Sequence, residues 1–250
     1  LKTFSDALSF DLPSIRHLRL YVGSNFFEIS STSIELLNQI SKSSQFLVPN
    51  SLASSNLTLI KRNRLRTNFE TIDESAKIRM AFVDQFESSY TEVENKYNDY
   101  SENSIDRNLE LKIKLLNFLV EALQESGNEM TVAHYLLGFE VSYQKRISLG
   151  SFKSIGAIGS SRSLLGSLLT FFENCLEQNA ENSENMSYPA IRFASLILKI
   201  ILQLCKRPLT SSLILVLLDM KYNFYEKLLN FELLVGLDST RFDGQLFDSD

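Results

Sequence analysis

Leu109-Glu-Leu-Lys-Ile-Lys-Leu-Leu-Asn-Phe-Leu-Val-Glu-Ala-Leu123 is the stretch that decides the fold. Leu109, Leu111, Leu115, Leu116, Phe118, Leu119, Val120 and Leu123 fall on most sides of a helix that starts near Ser104 or Ile105. A helix apolar over most of its circumference is packed from more than one direction. Gly127 is placed to end it. Upstream, Ile72, Ala76, Met80, Val83, Phe86, Tyr90, Val93 and Tyr97 step by three or four, the spacing of one buried helical stripe. Thr71 and Glu74 have capping-box spacing at its start.

The same period recurs along the chain. Leu12 to Val22 reads as a helix stopped by Gly23, and Ser33 to Leu47 as another with Ile34, Leu37, Ile40 and Leu47 inward. Asn50 to Asn68 reads as loop with a short helix, and Thr131 to Val141 as a short helix. Residues 142–162 form a Gly/Ser-containing inter-helix loop with Gly150, Gly156 and Gly159. Further helices are expected from Leu164 to Gln178, from Ser187 and Pro189 to Leu204, from Thr210 to Met220 and from about Tyr222 to Val235. Residues 236–250 read as a frayed or connecting tail. No run alternates with period two beyond a few residues, so no sheet is expected. Successive helices without a strict sequence period predict an all-α, irregular HEAT/ARM-like α-helical solenoid, with residues 1–250 one continuous segment of it. The chain begins on Leu1, and an internal piece of a longer protein is expected. Bare apolar faces at both ends would make the isolated piece aggregation-prone.

Composition narrows the function. Apolar residues make up 44% and charged residues 22%, with a net charge of −5, against the basic surplus of a general nucleic-acid binder. Eight acids against Lys96 and Arg107 between Asp84 and Glu110 read as a solvated face. The apolar stretch from Phe193 to Leu218 is interrupted by Lys199, Gln203 and Lys206-Arg207-Pro208, so no membrane span is expected. Cys175 and Cys205 sit inside apolar helical patterns, as buried free thiols do.

Chemistry is sparsely supplied. His17 and His134 are far apart, and neither has metal-ligand spacing. His134 reads as a core or groove histidine. The glycine loop fails as a phosphate cradle: Gly150 and Gly156 are one residue too far apart for a P-loop, and Ala157 stands where lysine is needed. No carboxylate pair is placed in contrasting environments, as acid–base work needs. No catalytic, cofactor-binding or metal site is assigned. Lys61, Arg62, Arg64 and Arg66 form one dense basic cluster, a candidate nuclear-import signal, RNA contact or seat for an acidic partner, or otherwise a solvated face.

Two adjoining segments carry a resemblance. Lys114 to Leu123 is followed by Thr131-Val-Ala-His and then Tyr135, Leu136, Leu137, Gly138, Phe139 and Glu140. This order resembles the largest inner-ring scaffold nucleoporins of the nuclear pore complex, in which a leucine-rich helix precedes a similar signature helix. Leu20-Tyr-Val-Gly23 and Ser33 to Ser41 upstream, and Leu202-Gln-Leu-Cys205 downstream, extend it over most of the chain. The asparagine- and serine-rich loops resemble a fungal member. The resemblance implies a non-catalytic α-solenoid at the nuclear pore, without cofactors. It also implies partners among other nucleoporins, whose short linker segments would lie in a solenoid groove, and a supporting role in protein and mRNA transport. A HEAT-like transport receptor or other solenoid adaptor is the alternative, since it would share the architecture and the lack of catalysis.

Overall fold

The structure is a computed structural model that describes residues 12–24, 26–47, 63–72, 76–95, 102–124, 129–141, 147–149, 162–181, 188–222 and 224. Its helices are α1 (Leu12–Tyr21), α2 (Phe27–Lys42), α3 (Ser44–Leu47), α4 (Arg64–Ile72), α5 (Lys77–Asn95), α6 (Glu102–Gln124), α7 (Val132–Leu136), α8 (Leu164–Glu181), α9 (Tyr188–Lys206) and α10 (Ser211–Tyr222). The helix expected after Tyr222, the tail 236–250, Gly127 and most of the loop 142–162 lie outside the described residues.

The long helices form side-by-side pairs: α1 with α2, α5 with α6, α8 with α9. Pairs stack through two parallel rows, α1–α5–α8 in one and α2–α6–α9 in the other. This is the layered order of an irregular α-solenoid, in which each unit buries its faces against its neighbours. The middle helix α6 explains its own sequence. It packs on α2, α5, α7 and α9, and its Leu111, Leu115, Leu116, Phe118, Leu119 and Leu123 are all buried. Each such side chain contributes about 1.5–3 kcal/mol by leaving water. α10 turns back onto α9 after the turn 207–210, where Thr210 Oγ1 donates to the Leu204 carbonyl (2.7 Å) and satisfies an open acceptor at the end of α9.

Ion pairs tie the rows at their rims. Lys114 of α6 reaches Glu35 (2.7 Å) and the Ser31 hydroxyl of α2 (2.7 Å), and Glu121 accepts from Lys42 and Asn38, both at 2.7 Å. Arg162 pairs with Glu87 of α5, whose other oxygen accepts from Ser167 of α8 (2.7 Å). Ser163 opens α8 by accepting from the Gly166 amide (3.1 Å).

Two expectations are corrected. The stripe from Ile72 belongs to two helices, because the chain breaks between Ile72 and Lys77, where Ala76 has φ 54°. Thr71 is therefore inside α4, donating to the Thr67 carbonyl (2.7 Å), and caps nothing downstream. Second, there is a small sheet in this helical fold: β1 (Phe139–Val141) pairs antiparallel with β2 (Ile147–Leu149), Phe139 opposite Leu149. The short helix consequently stops at Leu136, short of the expected Val141. Gly138 makes the stop. Its φ of 98° is left-handed, and its amide donates to the Tyr135 carbonyl (3.0 Å).

Candidate functional site

The signature segment and the basic cluster meet in space. α7, β1 and the start of α4 pack together beside α5 and α6. The Asn63 amide donates to the Met130 carbonyl (3.2 Å), which brings the start of α4 to the entry of α7. Asn63 Oδ1 then accepts from the Arg66 amide (2.8 Å), the geometry of a helix N-cap. That register turns Arg66 inward.

Arg66 is fully buried. Its Nε donates to Glu70 Oε1 (2.8 Å), and its Nη2 reaches the same oxygen (2.6 Å) and donates to the Phe139 carbonyl (3.0 Å). The basic cluster is thus not one surface. Arg66 is a buried clamp on β1, Arg64 is exposed, and Lys61 and Arg62 lie outside the described residues. Glu70 stands four positions after Arg66, one helical turn on, so the guanidinium takes its own counter-ion with it as it turns inward.

The signature residues are structural by position. Tyr135, Leu136, Leu137 and Phe139 are buried. The Tyr135 ring meets Phe69 of α4 edge-on (6.0 Å between centroids), and Arg79 of α5 lies over its face (5.2 Å). Arg79 also pairs with Glu140 (3.0 Å), the half-exposed end of the segment. On the other side of Phe69, the buried Arg19 of α1 stacks on the ring (3.5 Å to the centroid) and donates to the Asn68 carbonyl (3.3 Å). The Tyr135–Phe69 ring pair, with Arg79 over one ring and Arg19 over the other, therefore joins α1, α4, α5 and α7.

His134 is fully buried against Phe139. Its Nδ1 accepts from the Thr131 amide (3.0 Å), which leaves the proton on Nε2. Burial, then the nearby Arg207 and Arg66, holds its pKa well below the usual histidine value. Arg207 donates to the Leu123 and Glu129 carbonyls and locks the turn after α9 onto the end of α6. The charged groups that act on His134 are the cations Arg207 and Arg66. Lys112 of α6 is buried near the rings of Phe86 (5.2 Å) and Phe171 (6.0 Å), and burial lowers its pKa to about 8. Cys205 is half-buried, and burial pushes its thiol pKa up, away from reactivity. Among the described residues, no group of three or more His, Cys, Asp or Glu is placed to hold a metal ion. No helix among them is long and apolar enough to cross a membrane.

Sequence reasoning missed the buried cations Arg19, Lys112 and Arg207. Each lies in an apolar helical stretch or beside one, the signal that a basic side chain shares a buried face. The arrangement holds secondary elements together; it offers no activated nucleophile.

Residues 1–250 match a family model described as Nup192: nuclear pore complex scaffold, nucleoporins 186/192/205. The chain is also similar to nucleoporin nup186 of Schizosaccharomyces pombe, 27% identical over 215 residues. That alignment covers 86% of this chain and 11% of the relative, so the chain spans about a tenth of the length of the protein it matches.

Proposed function

The chain belongs to the nuclear pore complex scaffold family of nucleoporins 186/192/205, a non-catalytic structural family, and on that premise we propose that it is a load-sharing segment of a longer scaffold solenoid. In this reading residues 1–250 form one continuous stretch, 142–162 link helices, and 236–250 lead into the next element. The larger protein holds other nucleoporins in place, taking up short linker segments along solenoid faces, and so supports nucleocytoplasmic transport of protein and mRNA. The signature residues Tyr135 to Glu140 serve inside the stack, fixing α7 and β1 against α4, α5 and α6. Arg64, with Lys61 and Arg62, is the part of the basic cluster assigned to a partner.

One observation supports this reading above the others. The pair α5/α6 is packed on both sides by further pairs, and its polar groups are spent on ties to those neighbours. A unit built to be continued in two directions suits a scaffold. Affinity purification of the full-length protein, read by mass spectrometry, tests it. Other nucleoporins are expected in the eluate. Recovery of a small GTPase with transport cargo in their place would favour the HEAT-like receptor.

A further inference from the structure

The solvent face of α9 differs in charge from the rest of the chain. Arg192, Lys199 and Lys206 are exposed and follow one another at steps of seven residues, with exposed Ser195 and Leu202 between them, also seven apart. Steps of seven drift only about 20° per heptad on a straight helix, so these residues share one seam. α9 contains no Asp or Glu. Lys42, Lys114 and Arg162 are held by acids on neighbouring helices, whereas Arg192, Lys199 and Lys206 have no ion pair among the described residues. The face is therefore cationic in a chain whose net charge is −5.

An apolar residue lies on the same seam. Leu202 is 49% exposed. It stands four residues before the end of α9, and Leu215, 44% exposed, stands four residues after the start of α10. The two helices pack against each other across the turn 207–210, so both leucines sit about 6 Å from the turn, at the same level.

We propose that this seam is a docking site for an acidic, amphipathic helical segment of another protein, with carboxylates at heptad spacing and an apolar residue set against Leu202 and Leu215. The proposal rests on the scaffold reading and names the partner chemistry at one face of it. Charge complementarity selects the occupant. A second copy of the same face would set cation against cation. A nucleic acid would satisfy the charge but leave the leucines without an apolar partner. The heptad repeat also gives a register: a partner helix laid along the seam meets a cation every two turns, about 10.5 Å.

The test uses the full-length protein and a fluorescein-labelled helical peptide of about three heptads, with Glu at three successive heptad positions and Leu between them, in fluorescence anisotropy. Binding is expected, weakening as salt rises. The Lys199→Glu/Lys206→Glu variant should bind about tenfold more weakly or worse, while Lys77→Glu, an exposed cation on α5, should not change the affinity. A peptide with Lys in place of Glu should bind the double variant and not the wild type; this rescue shows the variant is folded. Equal binding of a scrambled peptide, or unchanged affinity in the double variant, overturns the proposal. So does tighter binding of an oligonucleotide of equal charge. So does binding that appears only after residues 225–250 are removed, which would make the chain's own segment the occupant. Affinity purification separates this from the scaffold reading. Loss of a nucleoporin from the double variant supports the seam. Nucleoporins recovered equally by wild type and variant overturn the seam and leave the scaffold standing. No nucleoporin from the wild type overturns both.

Discussion

Gly23 and Ala81 meet without a side chain between them. A Cβ on Gly23 would come within 2.9 Å of the Ala81 Cβ and 3.4 Å of its Cα. This is where the first helical pair touches the second, since Gly23 follows α1 and Ala81 is on α5. Gly23→Ala should push α1 off α5 and cost about 1–3 kcal/mol, the range for overpacking. Adding Ala81→Gly should recover part of it, less about 1 kcal/mol for glycine within a helix. Hydrogen exchange of the full-length protein, read at the amides of α1 and α5, measures both. Unchanged protection in the single variant would show that the approach is not tight.

Arg66 makes a second test. Arg66→Met removes the donor to the Phe139 carbonyl and the ion pair to Glu70, and should cost about 1–3 kcal/mol in local stability. Arg66→Lys should recover little, because an ammonium cannot reproduce the forked contacts to Glu70 and β1. Faster exchange should be concentrated in α4, α7 and β1. A surface role for Arg66 would instead leave exchange unchanged in both variants.

Gly138→Ala places a Cβ at φ 98° and should cost about 1–2 kcal/mol. The amides of α7 and β1 should lose protection together, because that residue turns one into the other. Protection equal to wild type would contradict the turn.

Titration acts with the same sign at two buried groups, in separate pH windows. Lys112 has its folded pKa lowered to about 8 from 10.5, so between those values the unfolded chain binds a proton that the folded chain does not. Stability should rise with pH through that window, on the order of 1 kcal/mol between pH 7 and 9. Lys112→Met should melt higher than wild type at pH 7, and the gap should narrow toward pH 9. His134 is lowered from 6.5 by burial and the nearby arginines, so stability should fall as pH drops below 6.5. His134→Gln retains an acceptor for the Thr131 amide and should show a shallower acid limb. Circular-dichroism melts across pH check both; parallel curves for wild type and variants would contradict the burial of these groups.

The sequence reports what repeats locally. The leucine spacing of α6, α8 and α9 marks them as helices, and the all-round apolarity of α6 anticipates its place in the middle of the stack. Gly138 is legible as a site needing glycine, though its spacing does not say whether a helix ends or merely approaches another there. What failed is set by distant partners. Phe139 to Val141 continues an apolar helical pattern, and only pairing with Ile147 to Leu149 makes it extended. Arg66 looks like its basic neighbours until the Asn63 cap turns it inward. Ile72 and Ala76 keep helical spacing across a break that Ala76 makes with its backbone alone. The cationic seam of α9 was present as spacing, but its meaning depends on knowing which face of that helix is exposed.

A fixed part of the pore scaffold stays at the pore far longer than a transport factor does, so residence time separates the two. The full-length protein fused to a fluorescent tag at its own locus would be photobleached at the nuclear rim. A scaffold part should show a rim signal that stays dark long after soluble nuclear cargo has recovered. Recovery as fast as that of a transport receptor would contradict the account.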